Sequence, residues 1–72
     1  MTLYDLFDYL DGNIECDIYD FWEEATIYHG DVYGAIKFFS GKSDDWRLCN
    51  VIEVDPRNGV MYIPVESKTK TY

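Results

Sequence analysis

The spacing of apolar residues in this chain changes at Gly12. Before it, Leu3, Leu6, Phe7 and Leu10 recur at intervals of three and four, which is one stripe of an α-helix. After it, Ile14, Cys16 and Ile18 alternate with Glu15, Asp17 and Tyr19, the period of two that a half-buried strand requires. A chain that changes period within its first dozen residues lays a helix against a sheet. The expected class is α+β, and 72 residues allow a single domain whose core is near the lower limit for independent stability.

The helix is predicted over residues 3–11. Thr2 with Asp5 reads as a capping-box variant, the hydroxyl accepting an orphan backbone N–H while the carboxylate favours the positive end of the helix dipole. Gly12 suits the left-handed position just past the end. Asp5, Asp8 and Asp11 then form a ladder of carboxylates about 4.5 Å apart along one solvent-facing stripe, with Asp11 opposing the dipole at the C-terminus.

The first strand is expected over residues 14–19 and a second short one over residues 25–29, with Gly30 and Asp31 as a hairpin turn. Residues 32–39 carry two readings. Val32, Ile36 and Phe39 fit a helical stripe, but Gly34 and the Val, Tyr, Ile and Phe composition favour a strand. The clearest hairpin is C-terminal, residues 46–54 and 60–65 around a type I turn with a bulge at residues 55–59. Leu48, Ile52 and Val54 on one face and Cys49 and Val51 on the other suggest a central strand, whereas Pro64, lacking an N–H, suggests that the last strand is an edge. The expected architecture is a short N-terminal helix packed on a mostly antiparallel sheet of four to five strands. It spans residues 1–66, followed by a polar tail at 67–72.

Charge bears on function more than on fold. Nine acids and no Lys or Arg precede Lys37, whereas six bases and five acids follow from there, so the halves carry −9 and +1 of the net −8. Such a field repels DNA, RNA and anionic membranes and favours a protein partner with a basic surface. Aromatic residues at 18% show that the acidic half has the material to fold. No apolar run approaches a membrane span and the N-terminus lacks a basic region before a greasy stretch, so the expected compartment is the cytoplasm. Cys16 and Cys49 lack both scaffold density and metal-type spacing, and are expected as buried thiols.

Candidate chemistry is sparse. His29 is the single histidine, with Glu24 and Asp31 its nearest acids, and a minimal hydrolase would have to use it, conceivably with a cysteine. Placing Gly12 at the sixth position of a calcium loop puts Phe7 and Tyr9 where oxygen ligands are needed, and one His with two separated Cys does not make a zinc site. The expectation is therefore no catalytic, cofactor or metal site. Tyr and Trp interleaved with carboxylates point instead to a non-enzymatic interaction module. Asp5, Asp8, Asp11, Glu15, Asp17 and Tyr19 are the candidate partner-binding residues, expected along one edge of the domain. The alternative is an acidic inhibitor that mimics nucleic acid to block a DNA- or RNA-binding protein.

The opening TLYDLFDYLDGNIECDIYD, a capped helix with L-x-x-x-L spacing, a turn and a strand ending near Asp20, resembles the start of small uncharacterised proteins carried by phages and conjugative elements of Gram-positive gut bacteria. The resemblance covers about a quarter of the chain. It implies an inhibitor or regulator role and assigns no residue to it.

Overall fold

The computed structural model describes residues 1–42 and 49–66. In chain order the elements are α1 (Leu3–Phe7), β1 (Glu15–Asp20), β2 (Ala25–Asp31), α2 (Val32–Ser40), β3 (Asn50–Val51), β4 (Asp55–Arg57) and β5 (Val60–Glu66). The class is α+β, with two helices and a five-stranded mixed sheet. Strand order is β2-β1-β5-β3, with β4 also pairing β5. All pairings are antiparallel except β1 with β5, which run parallel with Ile18 opposite Ile63.

The capping box at the start of α1 is present in full. Asp5 N–H donates to the Thr2 hydroxyl and Thr2 N–H donates to the Asp5 carboxylate, each at 3.2 Å. The helix ends at Phe7, earlier than the expected residue 11. Beyond it Tyr9 N–H bonds the Leu6 carbonyl and Leu10 N–H the Phe7 carbonyl, the tighter three-residue spacing common at helix ends; Asp8 and Asp11 there add nothing favourable to the dipole. Gly12 is not left-handed, since positive φ among the glycines falls at Gly30 and Gly59. It is small for another reason: a Cβ there would sit 2.8 Å from the Tyr33 ring.

Residues 32–39 form helix, not strand. Gly30 and Asp31 do not turn a hairpin; they extend β2 to pair with Cys16 and Glu15, and the Asp31 carboxylate then caps α2 by accepting from Gly34 N–H at 2.7 Å. Gly34, which counts against a helix by propensity, stands in its first turn, where a Cβ would collide with the Tyr28 hydroxyl. That hydroxyl donates to the Asp31 carbonyl at 2.9 Å. Close approach by Tyr28 selects glycine, and Val32, Ala35 and Phe39 give α2 its buried stripe.

The C-terminal hairpin is antiparallel as expected, but its anatomy differs. The turn is the two-residue Asn58–Gly59, with φ of 51° and 81°, so Pro56 and Arg57 belong to β4. Both positive angles define the mirror-image turn whose twist matches flanking strands. The part expected at residues 46–48 lies outside the described residues, as does the tail at 67–72; of the rest of that expected strand only Asn50–Val51 is β3, residues 52–54 are not strand, and β4 falls within the expected turn. Edge and centre are exchanged. β5 is central and β3 with β4 form the edge, because β5 takes β1 as its second neighbour. The Pro64 carbonyl accepts from Ile52 N–H at 2.9 Å, but Pro64 has no N–H to return the bond, and the pairing with β3 stops at Val51. Residues at the chain start line that edge, with Val51 N–H bonded to the Met1 carbonyl and Leu3 N–H to the Cys49 carbonyl.

Both helices pack on one face of the sheet. Leu3, Leu6 and Phe7 from α1 and Val32, Ala35 and Phe39 from α2 enclose Cys16, Ile18, Ile63 and Val65, with Cys49 in the same cluster. Among the described residues, no helix covers the other face.

Candidate functional site

Alternation along β1 sends Cys16, Ile18 and Asp20 into the core and Glu15, Asp17 and Tyr19 to the uncovered face. Register then assembles the rest. Asp17 lies between His29 of β2 and Tyr62 of β5, Tyr19 stands beside Pro64, and on the far side Asp55 is opposite Tyr62 and Arg57 opposite Val60. Rings run across this face: Tyr19 to Phe21 is 5.6 Å between centroids, edge to face, and Tyr19 to Tyr62 is 6.2 Å.

Carboxylates are set among the rings. Arg57 Nε donates to Asp55 Oδ2 at 2.7 Å while its guanidinium carbon stands 4.2 Å from the Tyr62 ring centroid. The His29 imidazole lies between two acids, Nε2 at 3.9 Å from Glu15 and Nδ1 at 3.8 Å from Asp17, distances that make ion pairs only when the ring is protonated. Asp17 Oδ1 is shielded from solvent and has no hydrogen-bond partner. Glu15 also sits directly opposite Asp31, a like-charged pair that costs stability.

Of the six candidate residues, Glu15, Asp17 and Tyr19 are brought together here. The other three are not. Asp5 and Asp8 are exposed at α1, which packs against the opposite face of the sheet, and Asp11 is exposed in the connection to β1. The expected single edge is thus divided, because helix and outward strand face lie on opposite sides of the sheet. Tyr62, Asp55, Arg57 and His29 were not among the candidates. Val60, Tyr62 and Pro64 do alternate at period two, but only the parallel register of β1 with β5 places Tyr62 beside Asp17 and Pro64 beside Tyr19.

A cysteine–histidine dyad is not assembled. Cys16 and Cys49 are buried thiols on the core side, not joined in a disulfide, whereas His29 is on the open face. Burial pushes both thiols up to about 11, helped at Cys16 by Asp17, Asp31 and Glu15 and at Cys49 by Asp20, which disfavours the nucleophilic form. Among the described residues, no three His, Cys, Asp and Glu side chains are placed to hold a metal ion together. Asp20 has a local role: buried at the end of β1, its carboxylate accepts from Trp22 N–H at 3.4 Å and Glu23 N–H at 3.2 Å, fixing the turn into β2.

In comparisons with known proteins, no family model, no curated protein and no solved structure matches this chain. Among the described residues no helix is long and apolar enough to cross a membrane.

Proposed function

We propose that this protein is a non-enzymatic interaction module that binds a protein with a basic surface through the uncovered face of its sheet. The observation that carries this reading is the placement of Glu15, Asp17, Tyr19 and Tyr62 together on a face that no described helix covers, in a chain whose first 36 residues hold no Lys or Arg. Half-buried tyrosines supply apolar area at low entropic cost, and the carboxylates around them supply charge complementarity and orientation. The division of the acids between two sides of the sheet supports this reading over mimicry of a phosphate track, which needs them along one path.

The test compares two pairs of substitutions. Immobilised wild type, Glu15→Gln with Asp17→Asn, and Asp8→Asn with Asp11→Asn are each exposed to a bacterial lysate at about 50 and about 200 mM salt, and retained proteins are identified by mass spectrometry. Basic proteins held by the wild type at low salt should be lost from the sheet-face variant and kept by the α1-side variant. Equal retention by the wild type and the sheet-face variant would overturn the proposal.

A further inference from the structure

Tyr62 has a carboxylate beside it on each neighbouring strand, Asp55 on β4 and Asp17 on β1. The two sides are differently filled. On the Asp55 side Arg57 occupies the site, bonded to the carboxylate at 2.7 Å and lying 4.2 Å from the Tyr62 centroid. On the Asp17 side, the nearest basic side chain is His29, its Nδ1 at 3.8 Å, and no Arg or Lys of the described residues pairs with the carboxylate. There Tyr19 adds a second ring 6.2 Å from Tyr62, and the Asp17 side chain is 30% exposed.

From this we infer that the Asp17, Tyr19 and Tyr62 side of the face is a seat for an arginine side chain of the partner protein, repeating the internal contact of Arg57 with Tyr62 and Asp55. The inference rests on the interaction reading above and narrows the partner's basic surface to one that presents arginine. A guanidinium is planar, so it stacks on a ring while its N–H groups point in plane toward a carboxylate. A lysine ammonium is a compact, strongly hydrated point charge. It meets the carboxylate but gains less from the rings. Arg57 shows both halves of the guanidinium contact made at once on this same sheet. The general field of −8 attracts either cation equally, so a preference between them reports the rings rather than the charge.

The experiment titrates the intact protein with two synthetic peptides of equal length and charge, one of alternating Gly and Arg and one of alternating Gly and Lys, by calorimetry at near-physiological salt. The arginine peptide should bind about two- to fivefold more tightly, and Tyr19→Leu should bring its affinity down to that of the lysine peptide. In the unsubstituted protein, ring-proton shifts of Tyr19 and Tyr62 should move with the arginine peptide and much less with the lysine peptide, which decides the matter if Tyr19→Leu does not fold. Equal affinities, an arginine preference that survives Tyr19→Leu, or unmoved tyrosine rings would each overturn the arginine seat. Equal salt-dependent binding of both peptides that is lost in Glu15→Gln with Asp17→Asn would leave the broader acidic-face reading standing. Binding of neither peptide would overturn both.

Discussion

Cys16 and Cys49 illustrate how a single residue's burial sets its chemistry. Each occupies an apolar position of the core and is held protonated well past the ordinary thiol value of 9.0, to about 11, first by loss of solvation and then by nearby carboxylates. In the unfolded chain these groups ionise at their ordinary value. The folded state binds its protons more tightly, so this contribution to stability is complete below pH 9 and is lost as pH rises toward 11. Thermal unfolding followed across that window should show a decline that is shallower in Cys16→Ala with Cys49→Ala. A decline of equal steepness in both proteins would show that the thiols contribute nothing to it. Asp20 extends the same alternation of Cys16 and Ile18, and its burial follows from period two even though its side chain is charged.

At the scale of elements, α2 is decided by contacts that propensity does not register. Gly34 lowers intrinsic helicity, and by propensity alone alanine there would stabilise the protein by about 1 kcal/mol. The Tyr28 hydroxyl occupies the space a Cβ needs, while its ring lies 5.4 Å from Phe38 and 6.3 Å from Phe39 and anchors β2 to the helix. Gly34→Ala is therefore expected to destabilise, by about 1 to 3 kcal/mol as an overpacking change. Tyr28→Phe removes the nearer of two colliding oxygens, the Asp31 carboxylate being the other at 2.9 Å, and should recover part of that loss when combined with Gly34→Ala. Urea unfolding of the single and double variants measures the coupling, and a Gly34→Ala protein as stable as the wild type would refute the close contact. The hairpin turn was easier to anticipate in kind than in detail. Asn58–Gly59 supplies the two left-handed residues, and Asp55 and Pro56, also common in turns, were free to join β4.

For the whole molecule, nine acids among 36 residues without a balancing Lys or Arg create self-repulsion across a body 36 Å in its longest dimension. At about 10 mM salt the screening length is about 30 Å, so most of these charges feel one another, whereas at about 150 mM it falls to about 8 Å. Raising sodium chloride over that range should raise the thermal midpoint, and a falling midpoint would mean that attractive pairs such as Arg57 with Asp55 dominate instead. What the sequence determined by itself was local: the capping box at Thr2 and Asp5, the change of period at Gly12, the alternation that buries Cys16 and Ile18, and the presence of a C-terminal hairpin. Each of these is written in residues within a few positions of one another, where backbone sterics and burial period act directly. That residues 32–39 form helix was settled by the burial of Val32, Ala35 and Phe39 and by the Tyr28 packing that Gly34 admits, together with the Asp31 cap. Tertiary structure alone decided that β5 is central despite Pro64, and that Asp5 and Asp8 lie across the sheet from Glu15 and Asp17. The pairing of β1 with β5 joins residues more than 40 positions apart, and no local spacing encodes that register. The candidate face was consequently half legible: alternation identified Glu15, Asp17 and Tyr19, whereas Tyr62, Asp55 and Arg57 reached them only through the parallel ladder that closes the sheet.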